Sequence, residues 1–454
     1  MKKNKVVKYI LMFSIILCVS LGGLYYATLA GMYKGAGKLL TISWVAQWKM
    51  NYPTQVTNND CSKTWSPAVN GEVPYQLPMY PEVKAAYWMI PMSQDTEVFE
   101  HPVAYRVQGR FPFARYMSFH TYDATTGDYV AAIKDVEINA DEGSVNPYNK
   151  SVDRANTNRN YTLWVVPEGA SLPQINAAEN ILVIPQGVKF SPSVLRVYRA
   201  DEDKGLAGGV SLPKVTVFDA QSGLAVNQCA PLRLVAPKSI EEGADTRRFD
   251  RRITINKNIH MYRSIGEGFY PNKHNAYLLT EFDRGLGEMA IVKWKSATTP
   301  KTKDGGGMFT HGEELRYWSF CLGGEYASNT SFCLVDDQAR IDEEGFVTLV
   351  LGPDDDSLIK LAEEAGINYI PWGIHYRPLT ILRNMEGERG FSKSAQHVPG
   401  LDASKPITEQ AGDHFIGEYS PTGYYCSKDQ FKQNFCDIEN FAMPVLIDLQ
   451  VSER

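Results

Sequence analysis

The chain opens on four lysines, Lys2, Lys3, Lys5 and Lys8, and then runs for 24 residues, Tyr9 to Met32, without a charge. A stretch of that kind matches the roughly 20 apolar residues that cross a bilayer, and it predicts an N-terminal apolar helix over 1–34. The pattern then changes. VAYRVQGRF, RYMSFHTY, YTLWVVP, VLRVYRA and KVTVFD are short runs rich in β-branched and aromatic residues, divided by Gly, Pro, Asn and Asp turns. Such runs read as strands. The expected fold is mainly β, sandwich or jelly-roll-like, with a few short helices. Two helices are expected: one opening at Asp356 and Ser357, with Leu358, Leu361, Ala362 and Ala365 on one face and a stop at Gly366, and one over Leu172 to Asn180.

Compared with itself, the chain repeats. Arg115-Tyr-Met-Ser-Phe119 returns as Arg316-Tyr-Trp-Ser-Phe320, 201 positions later. YTLWVVP ending at Pro167 aligns with VTLVLGP ending at Pro353, and the segment Ile184 to Pro192 aligns with Ile370 to Pro378, both at an offset of 186. The change of offset marks a net insertion of 15 residues in the first half, for which Gly143 to Tyr148 is the candidate. Looser matches join Ala86 to Ala276 and Ala104 to Ala290. The organisation expected is a signal anchor or signal peptide (1–34), a lead-in segment (35–79), β-rich unit 1 (80–235), a linker (236–264), β-rich unit 2 (265–400) and a C-terminal extension (401–454).

Charge and cysteine usage speak to compartment. The net charge is −6, and since residues 1–30 hold four lysines and no acid, the remainder carries −10. That balance argues against nucleic acid as a partner. By the positive-inside rule Lys2 to Lys8 stay in the cytoplasm and the bulk lies outside, with the membrane as a partner through residues 9–32. The alternative is a secreted or periplasmic protein cut near Ala30. Leu17 before Cys18 argues against a lipoprotein. Six cysteines remain outside the apolar segment and none forms a CxxC, so disulfides are a better reading than a metal site. Local spacing favours Cys321–Cys333 and Cys426–Cys436, leaving Cys61–Cys229; six buried thiols are the alternative.

Candidate chemistry is sparse. On a strand, Tyr116, Ser118, His120 and Tyr122 share one face and Arg115, Met117, Phe119 and Thr121 the other. The first set is a candidate polar binding face, with His120 and Tyr122 as catalytic candidates, although a histidine in a strand is as readily structural. His375 is a third catalytic candidate; it aligns with Lys189, so the two halves cannot share a metal site built on it. Trp372, Tyr376 and Arg377 could form an aromatic platform for a sugar, or simply fill a core. Asp135 and Glu137 would share a face on a strand. The clusters Asp201-Glu-Asp203 and Asp354-Asp-Asp356 could bind calcium but lack EF-hand spacing. No cofactor is implied. No GxSxG, HExxH or Walker A motif is present.

The strings FPFARYMSFHTYD, DEGSVNPY and LRVYRAD, with RYWSFC, Trp372-Gly373 and GEYSPTGYYC in the second half, resemble a group of uncharacterised exported proteins, chiefly bacterial. They are more distantly similar to jelly-roll-like modules of unknown function. The resemblance implies export, paired β units and a Cys321–Cys333 bridge; it implies no activity. The reading is an exported, membrane-tethered envelope protein binding a glycan or lipid between two β repeats. The alternatives are an extracellular carbohydrate-active hydrolase or lyase, and a structural surface protein.

Overall fold

The alternating runs form strands whose two faces go to different places. The computed structural model describes residues 46–53, 56–71, 80–172, 174–175, 180–232, 257–263, 270–308, 312–324, 330–387, 390–402 and 404–440. The apolar segment 1–34 and residues 236–256 of the expected linker lie outside the described residues. Among the described residues no helix is long and apolar enough to cross a membrane.

The described chain is mainly β, in four sheets. In the first half, β1 (Val69–Asn70), β2 (Ala85–Ile90), β8 (Ser193–Ala200), β4 (Ala114–Tyr122) and β5 (Tyr129–Lys134) lie side by side in that order. A second sheet orders β7 (Asn180–Ile184), β6 (Asn160–Pro167), β3 (Val103–Arg110) and β9 (Lys214–Asp219). In the second half one sheet orders β11 (Tyr262–Arg263), β12 (Asn275–Glu281), β18 (Pro378–Met385), β14 (Tyr317–Gly324) and β15 (Thr330–Val335). The other orders β10 (Asn258–Ile259), β19 (Thr422–Cys426), β13 (Met289–Lys295), β16 (Phe346–Gly352) and β17 (Asn368–Pro371). Apart from β10, which has no counterpart strand in the first half, the two halves thus have the same strand order, down to one parallel pair each, β6/β7 and β16/β17. A register shift falls at Thr121/Tyr122 in β4 and at Leu322/Gly323 in β14. The 25 residues between β5 and β6, against 10 between β15 and β16, contain Gly143 to Tyr148.

Each half closes its two sheets over one core. Val103, Tyr105 and Val107 of β3 meet Met117 and Phe119 of β4; Ala290, Val292 and Trp294 of β13 meet Trp318, Phe320 and Leu322 of β14. All nine residues of β4 and all eight of β18 are buried. A strand buried at every position needs cover on both faces, so the sheets holding β4 and β18 are inner layers, and their outward faces meet one another along a seam.

The second sandwich extends past the expected boundary at 400, because β19, from the expected C-terminal extension, takes the place beside β13 that β9 takes beside β3. Likewise β10 and β11 arise within the expected linker, and β1 within the lead-in. The helix spans Asp356–Glu364, with Asp355 rather than Asp356 as its cap: the Asp355 carboxylate accepts the Ser357 N–H at 3.0 Å. Gly366, at φ +72°, follows its end. Of the other expected helix, Leu172, Gln174, Ile175 and Asn180 are described and are not helical. Asp135 and Glu137 do not share a strand face: β5 ends at Lys134, and Asp135–Glu137 is a single 3-10 turn. Disulfides join Cys61 to Cys229, Cys321 to Cys333 and Cys426 to Cys436.

Candidate functional site

The seam is built from the strand parity of β4. Met117 and Phe119 enter the core of their own sandwich, while Tyr116 turns the other way, into a cluster with Tyr198, Tyr317, Val335 and Met385. Arg115 leaves its parity partners: its Nη1 binds Asp336 of the second half at 2.5 Å. Arg316 answers from the other side, with Nη2 2.8 Å from Asp135. The two aspartates are held alike, Asp135 accepting the Met117 N–H at 2.6 Å and Asp336 the Trp318 N–H at 3.3 Å.

Two more arginines lie in the seam at matching positions. Arg196 of β8 stands opposite Ser118, and Arg383 of β18 opposite Ser319. Each donates through Nη2 to a carbonyl of the other half, Arg196 to Tyr270 O at 2.7 Å and Arg383 to Tyr80 O at 2.6 Å. Tyr80 and Tyr270 both precede proline and both adopt positive φ, 45° and 47°, a conformation that costs a bulky residue free energy and commonly marks a functional constraint.

At Nη1 the two arginines part company. Arg383 Nη1 lies 3.2 Å from Glu82 Oε2, which also accepts the Ser319 hydroxyl at 2.5 Å. The residue at the Glu82 position in the other half is Asn272, two after Tyr270 as Glu82 is two after Tyr80. Asn272 Oδ1 accepts the His274 N–H at 3.1 Å, as Glu82 Oε1 accepts the Lys84 N–H at 3.4 Å. Asn272 Nδ2 and Arg196 Nη1 are buried without a hydrogen-bond partner among the described residues. Arg196, 3% exposed, lies near the Tyr87 and Tyr122 rings, at 5.8 and 5.5 Å from their centroids, and makes no ion pair among the described residues.

Around Arg196 gather His120, Tyr122, Tyr116 and His274. His120 stacks on Tyr122 with centroids 6.1 Å apart and lies 5.2 Å from the His274 ring. The Lys273 N–H donates to His120 Nε2 at 3.1 Å, so the neutral ring carries its proton on Nδ1, 3.2 Å from Ser118 Oγ. Burial, reinforced by the charge of Arg196, holds His120 well below the usual histidine range. Burial and then Lys134 push His274 down to about 3. Its Nδ1 is 2.7 Å from the Tyr116 hydroxyl, whose pKa burial raises well above the tyrosine value. The Tyr122 hydroxyl, also raised by burial, donates to Pro271 O at 2.7 Å. Neutral imidazoles and protonated phenols beside a permanent cation favour the reception of negative charge. No carboxylate bonds His120 or Tyr122 among the described residues.

The remaining candidates lie elsewhere. Trp372 is 1% exposed, packed against Phe282 with its indole N–H donating to Glu288 O at 3.0 Å. Tyr376 is 47% exposed, and Arg377 pairs with Asp283 at 2.9 Å; the three do not form one face. His375 meets Ser331 at 3.0 Å and is held by burial at about 4. Asp201 pairs with Arg154, and Asp355 caps a helix. Among the described residues, Glu82, Cys321 and Cys333 form the one group with metal-ligand spacing, but the sulfurs are joined and Arg383 shares the carboxylate, so the donors do not suit a cation.

Arg196, Asn272, His274, Glu82 and Arg383 were not singled out from the sequence. A signal existed: Tyr80-Pro81 and Tyr270-Pro271 stand 190 apart, the same offset as Ala86 and Ala276, so extending that alignment by six residues reaches both.

No family model matches the chain, and no curated protein does. The chain is similar to the crystal structure of an uncharacterised protein from Burkholderia cenocepacia, at 10% identity and a TM-score of 0.43 over 68% of this chain and 75% of that one. It is also similar to the VPA0106 protein from Vibrio parahaemolyticus, at 11% identity and a TM-score of 0.43 over 87% of this chain and 96% of that one.

Proposed function

We propose that this is an exported protein, tethered to the membrane through residues 9–32, whose two sandwiches descend from one duplicated unit and bind a small ligand in the seam between their inner sheets. The observation that carries the binding role is Arg196, a buried cation with no acidic partner among the described residues. Burying such a charge is costly unless something compensates it, and the sister arginine, Arg383, has Glu82. Matching strand orders and register shifts support the duplication. The uncharged run after four lysines, with three disulfides, supports export. Hydrolase and lyase readings gain no carboxylate at His120.

The test is hydrogen exchange of the full chain in detergent, after a thermal-shift screen of envelope glycan fragments, lipids and small organic acids. A ligand that stabilises the protein is expected to slow exchange in peptides covering 114–122 and 270–277. Stabilising ligands that protect only other segments would remove the seam from consideration.

A further inference from the structure

The two arginine sites differ by one carboxylate, and the difference points to a ligand class. In one, Glu82 presents Oε1 to the Lys84 N–H and Oε2 to Arg383 Nη1 and the Ser319 hydroxyl. In the other, Asn272 presents Oδ1 to the His274 N–H, which leaves its Nδ2 in the role of Glu82 Oε2. Asparagine is one methylene shorter than glutamate, and its nitrogen donates where the glutamate oxygen accepts. Asn272 Nδ2 and Arg196 Nη1 thus stand in the places of the Glu82 Oε2 and Arg383 Nη1 pair, and neither has a hydrogen-bond partner among the described residues. Buried donors are satisfied in native proteins with few exceptions, and two such donors call for an acceptor, preferably a charged one since guanidinium pairs best with carboxylate.

We infer that the seam binds a carboxylate group, held between Arg196 Nη1 and Asn272 Nδ2 in the position that the Glu82 carboxylate occupies on Arg383. The inference rests on the seam-binding reading and names its ligand chemistry: a small organic acid whose carboxylate is taken out of water. Arg196 supplies the permanent charge of the site. A glycan without an acid group lacks the feature this site selects.

The experiment measures thermal unfolding of the full chain in detergent with sodium acetate, and with sodium chloride, sodium sulfate and neutral acetamide at matched ionic strength or concentration. Acetate is expected to raise Tm saturably, by about 5 °C at full occupancy, with the other three well below it. Arg196→Gln is expected to abolish the acetate shift. Because that variant removes a buried group and can fail to fold, Asn272→Glu is the second arm: it installs the sister carboxylate, and should raise Tm without added acid while cancelling the response to acetate. Equal shifts from acetate and acetamide, or from acetate and chloride, would overturn the carboxylate assignment. So would an Asn272→Glu protein that is less stable and still responds to acetate. If the carboxylate assignment falls while a neutral sugar or lipid protects peptides 114–122 and 270–277 from exchange, the seam reading survives; if nothing protects them, both fall.

Discussion

Arg115 and Arg316 cross: each places its guanidinium on the aspartate of the opposite half, at 2.5 Å to Asp336 and 2.8 Å to Asp135, and Arg316 also donates to the Arg115 carbonyl at 2.9 and 3.0 Å. All four side chains are at most 4% exposed. Burial pushes the Asp135 and Asp336 carboxyls up, outweighing the pull of the arginine across the seam. Such pairs add little net stability, because desolvation offsets much of the attraction, while losing one partner is costly.

Removing one partner should therefore cost more than removing both. Arg316→Met is expected to destabilise the protein by about 3–5 kcal/mol, since it strands Asp135 in the seam. Adding Asp135→Leu to it should recover part of that loss. Denaturant midpoints of the two single variants and the double variant, run as a cycle, decide the matter, and additive losses would show that the pair is not coupled.

The histidines set a pH dependence. His120 and His274 have pKa values depressed in the folded protein, His274 to about 3. As pH falls below about 6.5 the unfolded chain binds protons that the folded chain refuses, so stability present at pH 7 is lost as pH falls toward 3. At pH 5 the loss is about 2 kcal/mol for His274, and His120 adds to it in the same direction. Urea unfolding at pH 7 and pH 5 should show the drop, and His274→Gln should shrink it by its own share. An unchanged pH dependence in that variant would mean that His274 titrates normally.

Much of the fold is legible because strand runs keep their local pattern: β4 and β14 share Arg-Tyr-x-Ser-Phe, and the offset of 201 also joins Asp135 to Asp336. The match of Asp135 to Asp336 is hard to see in sequence because the loops after them differ in length, so only a single letter matches. Arg196 and Arg383 are 187 apart, one residue out of the 186 register that joins the segments just before them, which hides their equivalence. The crossing of Glu82 to Arg383 spans 301 residues, and no local pattern encodes a contact between different inner sheets. Trp372 misleads for a plainer reason. It follows β17 directly, with its backbone N–H still donating to Gly352 O at 2.6 Å, and so turns inward while Tyr376, beyond the turn, faces solvent.

The disulfides should contribute unequally. Cys61–Cys229 closes a separation of 168 residues, while Cys321–Cys333 and Cys426–Cys436 close 12 and 10. On the loop-entropy account the long link is worth about 5 kcal/mol and the short ones about 3 each. Replacing each pair with alanine and comparing denaturant midpoints tests the order. Equal losses would point to native-state contacts as the dominant contribution.

The proposed tether gives the last prediction. If Lys2 to Lys8 remain in the cytoplasm and residues 9–32 span the bilayer, the full-length protein made in a bacterial host should stay with the membrane fraction through an alkaline carbonate wash. Protease added to spheroplasts should digest everything after the span while sparing a cytoplasmic control protein. Maleimide added without reductant should find none of the six cysteines outside the apolar run free, because an oxidising compartment keeps them paired. Intact mass distinguishes the two export readings: an uncleaved chain retains residues 1–34, whereas a product beginning just after Ala30 and recovered in the soluble fraction would replace the anchor with a signal peptide. Protease resistance in spheroplasts together with reactive thiols would place the sandwiches in the cytoplasm and end the export reading. It would also leave the seam to be tested against cytoplasmic organic acids.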